Sequence, residues 1–131
     1  MTAHLDCSFT LDDWAADDTD PLADPSGDGP ATGSATVRKT YSGALAATSV
    51  ASLLTTQGEK GAAYLAQERV VGTLDGRSGS FVLQHGAAGG EGQEMQQWAF
   101  VVAGSGTGEL AGLSGTGILA HEKLQLDYEL P

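Results

Sequence analysis

Nineteen glycines punctuate this chain of 131 residues, and between them apolar side chains recur at every second position. Period 2 places successive side chains on opposite faces of an extended strand, and no long stretch keeps the 3.6-residue period of a helix. The first run puts Ala3, Leu5, Cys7, Phe9 and Leu11 on one face. A second, over about residues 33–45, does the same with Val37, Lys39, Tyr41, Gly43 and Leu45, and a third covers about residues 47–56. In the fourth, residues 62–74, Tyr64, Ala66, Glu68, Val70 and Gly72 share a face, with Leu65, Gln67, Arg69 and Val71 opposite. Asp75-Gly76 is a strong two-residue hairpin signal. The fifth run follows it with Gly79, Phe81, Leu83 and His85 in phase, then a glycine-rich tip, GAAGGEG. A sixth groups Trp98, Phe100 and Val102, and the last puts Leu124, Leu126, Tyr128 and Leu130 inward.

These runs predict an all-β fold of about eight antiparallel strands in a meander. A meander without helices favours closure into a single up-and-down β-barrel, which removes exposed edges; a β-sandwich is the alternative. The length fits one domain over residues 1–131, large enough to fold without a disulfide. Cys7 stands alone, which suits a reducing compartment. The start carries no cationic and apolar leader, and no run is long enough to span a membrane as a helix, so a cytoplasmic location is expected.

Asp12, Asp13, Asp17, Asp18, Asp20, Asp24 and Asp28 crowd a Pro-rich segment at about residues 12–31, which reads as a long solvated loop. It lacks the ligand spacing of an EF-hand. With a net charge of -11 and six basic residues, binding of nucleic acid or of an anionic membrane is disfavoured. Trp14, at the start of this segment, is expected to plug one end of the barrel.

The stretch Gly104 to Gly117, GSGTGELAGLSGTG, contains a variant of the dinucleotide fingerprint, with Asp127 beyond it. The fingerprint must open a helix within a βαβ unit, and here more glycines follow instead. The stretch therefore reads as bent barrel strand. Leu110 and Leu113 anchor a turn near Ala111-Gly112, and Gly106, Gly108, Gly115 and Gly117 lie on the flanking strands. No cofactor is implied. His4, His85 and His121 are scattered, so no metal site is implied either.

Glu68 is the one carboxylate in mid-strand on a face shared with apolar residues. Turned inward, it is a candidate for proton transfer or for orienting a ligand; alternatively it bonds to an internal partner such as Lys39 or Tyr41 and supports the fold. His85 stands in phase with Phe81 and Leu83 as a candidate contact at the barrel mouth. Tyr41, Tyr64, Trp98 and Tyr128 complete a candidate pocket wall, or simply fill the core. Cys7 alternates with Leu5 and Phe9 as a small buried hydrophobe.

The phrases ERVVGTLDGRSGSFVLQH (Glu68 to His85), GSGTGELAGLSGTG and LDYEL, in that order, resemble a bacterial family, domain of unknown function 3224. VRKTYSG (Val37 to Gly43) and Trp98 also fit its pattern, whereas the acidic loop does not. The resemblance implies a barrel of the allene oxide cyclase-like type and, from related barrels, a homo-oligomer. It implies no reaction, and no residue matches the cyclase site. Three functions stay open. One is a module binding a small apolar or amphipathic molecule in the barrel, with Glu68 and His85 orienting its polar end. The second is an isomerase or cyclase using Glu68. The third is a filled, oligomeric barrel with Leu65 and Val71 at a subunit contact.

Overall fold

The computed structural model describes residues 2–131. Eight strands follow one another around a closed antiparallel ring: β1 (Ala3–Ala16), β2 (Ala31–Ser42), β3 (Leu45–Gln57), β4 (Gly61–Leu74), β5 (Arg77–Gly90), β6 (Gln93–Val101), β7 (Ser114–Ala120) and β8 (Lys123–Glu129). Each pairs with its neighbour in sequence, and β8 returns to β1. Asp75 and Gly76 take positive φ, as the tight β4–β5 hairpin requires.

Because antiparallel partners share a face, the register sorts the interior. Val37, Ala51, Glu68, Leu83 and Val101 form one inward row across β2 to β6. Ala35, Leu53, Ala66, His85 and Ala99 form the next. Gly33, Thr55, Tyr64, Ala87 and Gln97 form the row above that. The end reached by this last row, which also carries the loop between β1 and β2, is called the upper end.

Below the Glu68 row the interior is filled. Phe9, Tyr41, Phe81, Leu124 and Leu126 are buried there in one contiguous cluster. Leu110 and Leu113 belong to the same cluster and are each about 1% exposed, so it is they that stop the lower end. A smaller cluster of Val37, Ala51, Leu53 and Ala66 lies above, with Tyr64 packed against it.

The ring is uneven. β7 and β8 span 7 residues each, against 14 in β1, β4 and β5. β1 pairs with β8 only from Ala3 to Ser8; then the Phe9 amide donates to the Glu122 carbonyl in the β7–β8 turn. Beyond that point β1 has a partner on one side only. A bulge at Asp12, between Leu11 and Asp13, carries it on to Ala16. Leu11 and Trp14 pair with the inward Lys39 and Val37, yet are 49% and 50% exposed. Trp14 is therefore half exposed and does not plug an end of the ring.

Two further expectations are corrected. Gly106 and Gly108 lie in the β6–β7 connection, which holds one 3-10 turn, Gly108–Leu110; only Gly115 and Gly117 are on a strand. The GAAGG segment is strand, not hairpin tip, because β5 runs through it to Gly90.

Candidate functional site

Glu68 is fully buried, and five consecutive elements of the ring contribute to its surroundings. Lys39 of β2 donates from Nζ to Oε1 at 3.0 Å, and Nε2 of His85, on β5, lies 2.8 Å from the same oxygen. The hydroxyls of Tyr41 and Ser49 each donate to Oε2 at 2.6 Å. A carboxylate has about four lone-pair sites, and here each oxygen has two partners. Lys39 is also held over the Phe9 ring of β1, 4.6 Å from its centroid. No buried side-chain nitrogen or oxygen among the described residues lacks a partner.

Burial alone would raise the pKa of Glu68. The His85 contact, the Lys39 charge and the two hydroxyls outweigh it and hold the group at about 2. The resulting anion and Lys39 make a compensated buried pair, and the hydroxyls satisfy what that pair leaves over. Burial, and then the Glu68 charge, push the Tyr41 hydroxyl far up.

The network extends upward by one residue. A carboxylate only accepts, so Nε2 of His85 carries a proton. In the neutral ring Nδ1 then accepts from the Tyr64 hydroxyl, at 3.0 Å. Burial and the Glu68 charge raise the pKa of that hydroxyl, keeping it protonated. Tyr64 is only partly buried, so it is the outermost member of a chain running Tyr64, His85, Glu68, Lys39. Glu68 and Tyr64 are four residues apart on one strand face, and His85 pairs with Ala66 between them.

Of the residues singled out from sequence, Tyr41, Tyr64, Glu68 and His85 are joined here. Trp98 is not. The inward residues of β6 are Ala99 and Val101, and Trp98 lies on the outer wall over Gly86. A Cβ at Gly86 would fall 2.3 Å from the indole. Tyr128 does face inward, but it pairs with Ala3 and Gly115 and belongs to the filled lower cluster. Sequence reading missed Ser49, whose only signal was its place in phase with Leu45, Ala47 and Ala51. Cys7 is buried and its thiol is pushed up to about 11, first by burial and then by Asp6.

A cleft of about 700 Å³ opens at the upper end, bounded by Ala31, Gln57, Ala62 and Gln93 at strand ends and by Asp28 and Lys60 from the loops. Among the described residues no cluster of His, Cys, Asp and Glu has the make-up of a metal site, and no helix is long and apolar enough to cross a membrane.

A family model described as a protein of unknown function, DUF3224, matches residues 5–131. The chain is also similar to a crystal structure of a protein of unknown function from that family, from Shewanella oneidensis MR-1. That likeness has 28% identity and a TM-score of 0.84, and covers 100% of this chain and 98% of the other. No curated protein matches the chain.

Proposed function

We propose that this chain, which belongs to the DUF3224 family of proteins of unknown function, binds a small amphipathic molecule at the upper end of its ring. The observation that carries the reading is the contrast along the inner wall. Gly33, Ala35, Ala66, Ala87 and Ala99 occupy inward positions of the two upper rows, beside Leu53, Tyr64 and His85, where the lower rows hold Phe81, Tyr41, Leu45 and Leu74. Trp14 and Met95, in inward phase on β1 and β6, stay 50% and 64% exposed. Exposed apolar surface around a concave polar floor is what a small-ligand site offers.

Tyr64 is the group a ligand meets first. With the His85 ring neutral, its proton is directed to Nδ1, so its remaining lone pairs accept. A hydrogen-bond donor such as a hydroxyl or an amine is the matching head group. With a net charge of -11, an anionic head is disfavoured. Thr55 and Gln97, in the Tyr64 row, supply further polar contacts, and Val37 and Leu53 an apolar wall.

The arrangement supports binding over catalysis by Glu68. A base must be free to take a proton, and this carboxylate is filled by four partners and held at about 2. Its role in this reading is to fix His85, which in turn fixes Tyr64.

The test is a titration of a Trp98→Phe variant, in which Trp14 is the remaining indole, with long-chain alcohols and amines. Saturable change in Trp14 emission that Ala87→Leu abolishes is the expected result. No response to either class, or a response that Ala87→Leu leaves intact, overturns the reading.

A further inference from the structure

The outer wall of β2, β3 and β4 carries a feature the ligand site does not use. Arg38 and Arg69 are the cross-strand neighbours of Val50 on either side, so one row reads Arg, Val, Arg across three strands. Adjacent strands are about 4.8 Å apart, which sets the two arginines roughly 10 Å from each other. Both are exposed, and neither forms an ion pair among the described residues, in a chain with 17 acidic residues. A groove of about 380 Å³ follows this row, lined also by Val71, Thr48 and Asp12. Asp12, the one acid there, is engaged by the hydroxyls of Thr10 and Thr40.

The complement lies on the same chain. In the loop between β1 and β2, Leu22 is 69% exposed, the most exposed large apolar side chain in the described molecule. It sits in a turn closed by the Ala23 amide donating to the Asp20 carbonyl, and its own amide donates to Oδ1 of Asp20 at 3.0 Å. Thr32 of β2 donates to the other oxygen of Asp20. The order Asp20, Pro21, Leu22, Ala23, Asp24 thus presents an apolar knob with an acid two residues to each side. It matches Arg, Val, Arg in order and in charge, and the Asp24 carboxylate also accepts from the Ser26 amide and hydroxyl and from the Gly29 amide within the loop.

Knob and socket also share a face. The turn rests beside Leu54 and Leu65 on the outer wall, where a groove of about 280 Å³ runs between Leu22 and those residues. Leu54 pairs with Leu65, Ser52 with Gln67, and Val50 with Arg69 in successive outward positions of β3 and β4. The knob is therefore about 13 Å up the strands from the socket, since each residue advances roughly 3.3 Å. That is too far for Leu22 to reach its own Val50. It is the separation a twofold axis near Ser52 and Gln67 exchanges between two copies, because an isologous contact needs both elements on one surface.

We infer that the chain forms a twofold dimer through the outer wall of β2 to β4. The Leu22 turn of each copy seats on Val50 and Val71 of the other, and Asp20 and Asp24 meet Arg69 and Arg38. Leu54 and Leu65, both more than half exposed in the single chain, are covered near the axis. The contact uses the outer wall, whereas the ligand site opens at the end of the ring.

Sedimentation velocity over a concentration series on the full chain is the test, with Leu22→Asp and the double variant Arg38→Glu, Arg69→Glu beside it. All three positions are exposed, so far-ultraviolet circular dichroism is expected to stay unchanged. Each variant is expected to weaken the dimer by at least about tenfold, and raising the salt to weaken the unaltered dimer. An unaltered chain that stays monomeric at every concentration, or a dimer that survives either variant, overturns the proposal.

Discussion

Below the Glu68 row the inward side chains include Phe81, Tyr41, Leu45 and Leu74, closed off by Leu110 and Leu113; above it Gly33, Ala35, Ala66, Ala87 and Ala99 stand beside Leu53, His85 and Tyr64. The strands that build the two regions are the same. β2 to β5 run through both without a break, and their alternation does not change on the way. What differs is side-chain volume, together with the early end of β7 and β8. An eight-stranded ring has room inside for packed side chains or one small ligand, and on the proposed reading this one takes both options at different heights. The buried polar layer between them marks the change. Five polar side chains (Lys39, Tyr41, Ser49, Glu68, His85) leave no atom unpaired, so the layer is rigid enough to floor one half and roof the other.

If the halves differ as described, substitutions in them should differ in kind. The largest effect is expected in the lower half, where Phe81→Ala should cost about 3–5 kcal/mol in chemical denaturation, because a filled core cannot collapse around the void. A cost below about 1 kcal/mol would mean the lower half is loosely packed. Glu68→Gln should also cost about 3–5 kcal/mol, since it leaves Lys39 buried without its counter-charge.

Acid sharpens the same point. Glu68 has a folded-state pKa of about 2 against an ordinary 4.5. A depressed carboxyl pKa stabilises the fold above the unfolded value and loses that contribution as pH falls through the folded one. Stability should therefore drop between about pH 4.5 and pH 2. In Glu68→Gln that part of the drop should vanish, and an unchanged acid profile would place the titration elsewhere. Tyr64→Phe removes one partly exposed hydrogen bond and should cost only about 1 kcal/mol, while weakening ligand binding. The smallest expected change is in Ala87→Leu, at a partly buried position of the Tyr64 row: under about 1 kcal/mol in stability, with binding lost.

Much of the buried polar layer and its surroundings was legible in the sequence. The alternation placed Phe81, Leu83 and His85 on one face and Glu68 beside Tyr64, and Lys39 and Tyr41 were foreseen as internal partners for a buried Glu68. Where both faces of a run are apolar, the alternation loses its direction. On β6, Trp98 and Phe100 compete with Ala99 and Val101, and the larger pair lies outside. The signal was on β5, where Gly86 leaves room for an indole on the outer wall. Phase also says nothing about height. Tyr128 faces inward as expected, but only its pairing with Ala3 and Gly115 shows that it lies in the filled half. The bulge at Asp12 hid the same information for Trp14, because one extra residue resets the alternation beyond it.

The central claim, an open upper half that holds a small molecule above a fixed polar layer, is tested most directly by native mass spectrometry. Protein purified under gentle conditions would be compared with its denatured mass, alongside Ala87→Leu. The account predicts a reproducible extra mass on the unaltered chain, lost on denaturation and absent from the variant. A bare mass for the unaltered chain, even after incubation with long-chain alcohols and amines, would contradict it.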